Sequence, residues 1–299
     1  MNLIVAVPLD PSLAELIGKK GSDNSITFYN RKSGEDSVVA LAPTSVEEKF
    51  YALPEVMLVA DQILVSTAAV DSLLGEVIIA CGMLNRRVLL TGDNDVSALA
   101  REAGLQGYKV VGRQHALEEL VGFVPSGTEG GARVDIDKAF NVKGIGTIAL
   151  GVVKGGSVHV HDELIHSSGA KVAIRSIQVQ DRDVTEAGYG ARVGLALKGM
   201  EADDIEKGDI LAAHRVARSA NTEVSIRPSR FTKEALAVGG TYELVHNFSR
   251  SFVTVKEVDG DRAVLSLEKP APLDDGSTAL LVRREAPRIF AACTVKRAW

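Results

Sequence analysis

Residues 136–156 read IDKAFNVKGIGTIALGVVKGG, and this stretch decides the fold. Aliphatic and β-branched residues recur between glycines, and no 3.6-residue helical period runs through them. Gly144 and Gly146 in KGIGT mark a tight hairpin, where a positive φ or a close backbone approach excludes larger residues. Gly151, Gly155 and Gly156 are read as the next corner. Downstream, SVHVHDELIH (157–166), KVAIRSIQV (171–179) and GARVGLALKGM (190–200) have the same character, and Gly208 in DIEKGDILA (204–212) marks a last turn. Short alternating strands separated by glycine corners predict an antiparallel barrel.

Outward from this core, a second strand series begins near residue 221 with NTEVSIRP and continues through TYELVHNF, FVTVKEV, RAVLSLEK, STALLVRR and FAACTVKRA, predicting another all-β unit. Upstream, SGTEGGAR (126–133) reads as a flexible linker. Ahead of it, LIVAV (3–7), SVVAL (37–41), DQILVST (61–67) and RRVLLTG (86–92) are strand runs. They alternate with the helical spacings of VDSLLGEVIIACGML (70–84), DVSALAREAG (95–104) and HALEELVGF (115–123). Asp10 is placed to N-cap a short helix with Pro11 at its first position, and Gly18 to end it as a C-cap with Lys19 and Lys20 beyond. Such alternation predicts a mostly parallel sheet covered on both faces. The expected organisation is an α/β domain over 1–125, one barrel over 132–213 and a second over 214–299.

Composition narrows the function classes. Of 299 residues, 45% are hydrophobic and 24% charged, as in a soluble globular chain. No run approaches the ~18 apolar residues of a membrane span, and MNLIVAVPLDP lacks the basic lead of a signal peptide. Cys81 and Cys293 are too few for a disulfide framework or a four-cysteine zinc site, which suits a reducing cytoplasm. The net charge of −5 divides unevenly, with −7 on residues 1–131, −2 on 132–213 and +4 on 214–299. An acidic front and a basic back are what is expected if only the last part meets a phosphate backbone. His159 and His161 are read as exposed residues on one face of a strand rather than metal ligands, and no catalytic constellation is found.

The strings 136–156, 190–200 and 204–212, taken in order, resemble domain two of the elongation factor Tu superfamily, and residues 274–298 resemble the closing strands of its domain three. IDKAF, Gln178 and Arg192 look closer to the selenocysteine-specific branch (SelB), and the resemblance suggests an archaeal paralogue of that branch. The resemblance implies a P-loop-GTPase-like α/β domain followed by two β-barrels of the elongation factor Tu type. It also implies a domain two that receives the aminoacyl end of tRNA. Asp137 and Lys138 align with an acidic and basic pair, Phe140 with an aromatic bordering the aminoacyl pocket, and Arg192 with an arginine beside the selenol. Gln178 aligns with a residue near the terminal ribose. Two cations there would favour a selenolate or thiolate, hence selenocysteinyl or cysteinyl ends. In the basic third unit, Arg227, Arg230, Arg283, Arg284 and Arg288 are candidates for tRNA backbone contacts, and a ribosomal association is a further expectation.

The family's nucleotide motifs are missing. A phosphate loop needs GxxxxGK[ST] after the first strand. Here VPLDPSLAELIGKKG follows instead, with Leu13 at the glycine position, Lys20 at the hydroxyl position and Asp10 adding negative charge where a triphosphate belongs. The guanine-reading motif is shadowed only by TGDND, through Asp93 and Asp95. The expectation is therefore an elongation-factor-like protein with no cofactor and no GTPase cycle. The alternatives are a divergent GTPase that holds GTP with Mg²⁺ and a protein-interaction module.

Overall fold

The computed structural model describes residues 2–33, 36–45, 49–125 and 129–299; residues 126–128 of the expected linker lie outside them. The chain opens on β1 (Asn2–Ala6), buried from Leu3 onward, and α1 (Pro11–Ile17), which Asp10 caps by accepting from the Ser12 amide. The helix ends where expected, but for another reason. Gly18 is extended (φ −159°, ψ 173°), and Lys19 opens β2 (Lys19–Asp23), which pairs antiparallel with β3 (Ile26–Ser33). A Cβ at Gly18 would lie 2.7 Å from the Asn30 carbonyl carbon. The glycine serves close strand approach, not a left-handed cap.

Next come β4 (Asp36–Pro43), α2 (Lys49–Val59), β5 (Gln62–Ser66), α3 (Ser72–Met83), β6 (Arg87–Thr91), α4 (Ser97–Ala103), β7 (Lys109–Val110) and α5 (Ala116–Val121). The sheet order is β2-β3-β4-β1-β5-β6-β7, antiparallel across β2, β3 and β4 and parallel from β4 to β7. Both faces are covered: Ile4 and Ala6 pack with α2, α3 and α4, whereas Leu3 and Val5 pack with α1 and α5. Helix α2 escapes the sequence reading because Pro54 lies inside it and it is buried almost all round, which erases an amphipathic stripe. No helix of the described residues is long and apolar enough to cross a membrane.

The middle unit runs β8 (Arg133–Val142), β9 (Gly146–Gly155), β10 (Ser157–His159), β11 (Glu163–His166), β12 (Lys171–Val179), β13 (Arg182–Val184), β14 (Glu186–Gly188), β15 (Arg192–Lys198) and β16 (Ile210–Ala212). Strands β11, β16, β8, β9, β15 and β12 close into a six-stranded barrel because β12 pairs back onto β11. Gly144 and Gly146, with φ of +84° and +99°, make the β8–β9 hairpin as the sequence requires. Gly151 is not at a corner. It sits within β9, where a Cβ would meet Val134 Cγ1 at 2.6 Å. The two histidines do not share a strand face, since β10 ends at His159 and His161 takes a φ of 77° in the following turn.

The last unit, β17 (Arg218–Pro228), β18 (Thr241–His246), β19 (Ser249–Asp259), β20 (Arg262–Pro272), β21 (Thr278–Val282) and β22 (Ile289–Ala298), forms a closed barrel in the order β17-β20-β19-β18-β21-β22. Its outer wall is not free. Val245, Phe248, Leu280, Val282, Ile289 and Ala292 join one apolar core with α2 and α3, and Val152 of the middle barrel joins it too.

Candidate functional site

Register places the candidate residues of the middle barrel. Lys138 pairs with Leu150, Leu150 with Gly194 and Gly194 with Gln178, so the four form one row across β8, β9, β15 and β12. Two residues along each strand, Phe140, Ile148, Ala196 and Ser176 form the next row on the same face. Of the two central strands, β15 contributes the small Gly194 and Ala196, and β9 the larger Leu150 and Ile148, both partly exposed. The edges carry Lys138, Phe140 and Gln178, which are larger and exposed. The result is an outward platform with a low strip along β15, between an amide wall and, across Leu150 and Ile148, an aromatic–cationic wall. Phe140 is 37% exposed, the Lys138 ammonium lies 5.9 Å from its ring centre, and the Gln178 amide donates to Asp183 at 2.9 Å.

Asp137 and Arg192 are placed differently. A bulge in β8 between Ile136 and Lys138 leaves Asp137 out of the ladder, so it is buried while its neighbour Lys138 faces water. Arg192 shares the strand face of Gly194 but is only 8% exposed. It donates to the Asp137 carboxylate, and its guanidinium lies 3.7 Å from the ring centre of Phe28 on β3. Burial pulls the guanidinium below its ordinary pKa, and Asp137 opposes that shift. The platform therefore runs under the first domain at its Arg192 end and is open at its Lys138, Phe140 and Gln178 end. Of the two cations read from the sequence, Lys138 alone faces outward.

The third-barrel arginines separate in the same way. Arg227 donates to the carbonyls of Gly82 and Met83 at the end of α3, and Arg230 lies against Gly104. The Arg288 guanidinium sits 4.4 Å from the Phe50 ring centre, at the seam with α2. Arg283 pairs with Glu234 at 2.7 Å. Arg284 is exposed with no side-chain partner among the described residues, and it lines an open cleft of about 630 Å³ with Phe50, Phe252 and Arg288.

The residues beyond β1 do not fit a nucleotide triphosphate. Asp10 Oδ1 accepts from the Ser12 amide at 3.0 Å and from the Ser12 hydroxyl at 2.5 Å. Arg113, from the short 3-10 helix Arg113–His115 before α5, reaches Asp10 at 3.1 Å and Ser12 Oγ at 2.6 Å. Burial pushes the Asp10 carboxyl up, but these bonds outweigh it and hold the group below the usual carboxylate range. A carboxylate already satisfies the helix start where a phosphate loop offers free amides, and Lys19 and Lys20, at the lysine and hydroxyl positions of that motif, lie in β2. Asp93 and Asp95 line a small cleft of about 220 Å³ with Gly92 and Tyr108. Asp95 accepts from the Ser97 amide, which lowers its pKa, and Asn94 donates to the carbonyls of Thr67 and Ala68. Because the Arg113 pair is half in water (Arg113 is 47% exposed), Arg113→Ala should cost under about 1 kcal/mol. Thermal melts check this, and the variant should gain no affinity for GTP.

Sequence reasoning missed Phe28, Glu55, Lys207 and Arg113. For Phe28 a signal existed: ITFYNRKSGEDSVVALAP alternates around a glycine-containing turn, as hairpins do. The others lie far apart in sequence from what they touch.

An α/β domain joined to two closed six-stranded barrels is the architecture of elongation factor Tu, and the family profile for elongation factor Tu domain 2 matches residues 146–212. An uncharacterized protein of Methanocaldococcus jannaschii is 28% identical over 276 residues, covering 89% of this chain and 90% of that protein. The selenocysteine-specific elongation factor of the same organism is 26% identical over 178 residues, which is 52% of this chain but 38% of that factor. The crystal structure of translation elongation factor SelB from Methanococcus maripaludis, in its apo form, superimposes with a TM-score of 0.81 at 18% identity, covering all of this chain and 80% of that one. The chain thus carries a match to elongation factor Tu domain 2, has the fold of SelB, and is similar in sequence to selenocysteine-specific and other elongation factors.

Proposed function

We propose that this protein binds the aminoacyl end of a tRNA on the outer platform of the middle barrel, in the cytoplasm and without a GTPase cycle. The observation that carries the reading is a contrast within one chain. The helix start beyond β1 is filled by Asp10, Ser12 and Arg113, while Lys138, Phe140 and Gln178 stay open on one barrel face. The half-exposed Phe140 offers a stacking surface, Lys138 a charge for phosphate or carboxyl-ester oxygens, and Gln178 a hydrogen-bonding edge. Arg284 and the basic third barrel suit the sequence-independent backbone contacts that a tRNA stem offers. With Arg192 paired to Asp137, preference for a cysteinyl or selenocysteinyl end rests on Lys138 alone.

Titration calorimetry with GTP and Mg²⁺ should give no heat of binding at concentrations where filter binding detects aminoacyl-tRNA, and adding GTP should leave the tRNA Kd unchanged. Micromolar GTP binding with turnover would overturn the reading. Matched cysteinyl and seryl tRNAs test the finer preference, and equal affinities would remove it.

A further inference from the structure

A buried carboxylate, Glu55, ties all three domains at one point. It lies on α2, is 2% exposed, and its two oxygens face different barrels. One lies 2.5 Å from the Lys207 ammonium of the middle barrel, the other 3.9 Å from Arg250 Nε of the third. Lys207 also donates to Ser25 at 2.9 Å, and Arg250 donates to Glu243. Directly beside Lys207, Gly208 touches the third barrel so closely that a Cβ would lie 2.6 Å from Ser249 Cα. Phe28 repeats the three-domain pattern with π contacts: Arg192 stacks on it from the middle barrel and Phe248 packs 6.3 Å away from the third.

Further ties surround this centre. Asp61 bonds the Tyr189 hydroxyl and lies 3.5 Å from the Lys154 ammonium, which itself donates to the Val59 carbonyl at 2.8 Å. Glu76 of α3 accepts from the backbone amides of Arg288 and Ile289 at 2.6 and 3.0 Å. Arg133 joins the two barrels through Asp274 at 2.5 Å. Buried pairs of this kind add little net stability over apolar packing, yet breaking one partner leaves a desolvated charge behind, so they specify geometry.

We propose that the three domains form one fixed body, in which the Glu55–Lys207–Arg250 cluster sets the domain arrangement that a bound nucleotide would otherwise govern. The platform on the middle barrel is then presented permanently, and the arrangement responds to this cluster rather than to GTP. The inference goes beyond the proposed tRNA binding and rests on that reading only for its nucleotide independence.

The test uses the full chain carrying two spin labels, one on the exposed face of α4 and one on the third barrel. The distance distribution is measured alone, with GTP and Mg²⁺, and with GDP. Wild type should give one narrow distribution, identical in all three conditions. Glu55→Lys should broaden it, and adding Lys207→Glu to that variant should narrow it again, which a simple folding defect would not allow. Should Glu55→Lys fail to fold, Arg250→Ala takes its place and should broaden the distribution more weakly. A wild-type distance that moves with nucleotide, or a folded variant as narrow as wild type, would overturn the proposal. A distance that moves with nucleotide would overturn the absence of a GTPase cycle as well, whereas a folded variant as narrow as wild type would overturn this proposal alone; because no tRNA is present, neither bears on the platform.

Discussion

Asp209→Ala should destabilise the protein by about 3–5 kcal/mol, the usual cost of removing one partner from a buried charged network. Asp209 is 2% exposed and directly precedes β16. It accepts from the Ser167 hydroxyl at 2.6 Å, from the Glu206 amide at 2.8 Å, and from Arg218 Nε and its terminal nitrogen at 2.8 and 2.5 Å, with His166 Nε2 3.1 Å away. Removing the carboxylate strands all of them at the join between the barrels. Arg218 is 26% exposed, so water relieves part of the loss and the lower end of that range is expected. These bonds outweigh burial and hold the Asp209 carboxyl well below the usual carboxylate range. Its contribution is therefore complete above the unfolded value of about 3.9 and is lost as pH falls through the lower folded value. Urea melts of wild type and Asp209→Asn should converge on acidification below about pH 4. Parallel curves down to about pH 2 would mean that the carboxylate contributes no charge-dependent stability.

Phe140→Ala should weaken aminoacyl-tRNA binding by roughly 5–150-fold, since stacking of one base or ring on an exposed aromatic is worth about 1–3 kcal/mol. Its melting temperature should fall only modestly, because Phe140 is 37% exposed and lies on the outer barrel face rather than in a core. Gly194→Val tests the same surface from its floor. The backbone at Gly194 is not left-handed, and a Cβ there would meet Leu150 Cδ2, a mobile side-chain tip, at 3.3 Å and Gln178 Cβ at 3.9 Å. The barrel thus tolerates a side chain, and valine favours strand over glycine. A bound ligand would not tolerate it: the floor rises between the two walls, and affinity should fall at least tenfold, about 1.4 kcal/mol. Filter binding and thermal melts on both variants read affinity and stability separately. Stable variants that bind as wild type would place the tRNA end elsewhere.

The two faces of the platform show how far side-chain chemistry could be followed along the chain. Strict alternation from the buried Val134 and Ile136 on β8, and from Val172 and Ile174 on β12, would turn Lys138, Phe140 and Gln178 inward; a register shift in each strand brings them to the outer face. Asp137 lies on β8 and Arg192 on β15, and the same β8 bulge and a phenylalanine from β3 decide their surroundings. Neither the bulge nor Phe28 can be located from residues 136–200. The arginines of the third barrel behave alike. Their charge is plain in sequence, yet Arg227 caps α3 and Arg288 covers Phe50, because that barrel wall faces the first domain rather than water.

By itself, the order of residues determined the three-part architecture and the missing phosphate loop. Both depend on local matters: the spacing of glycines and apolar residues, and the identities at Asp10, Leu13 and Lys20. Only the tertiary structure decided which cations are free, what fills the helix start beyond β1, and that Glu55 meets Lys207 and Arg250. Those depend on groups 100 or more residues apart meeting where water is excluded, and burial, not residue type, determines whether a charge is a ligand site or a structural tie.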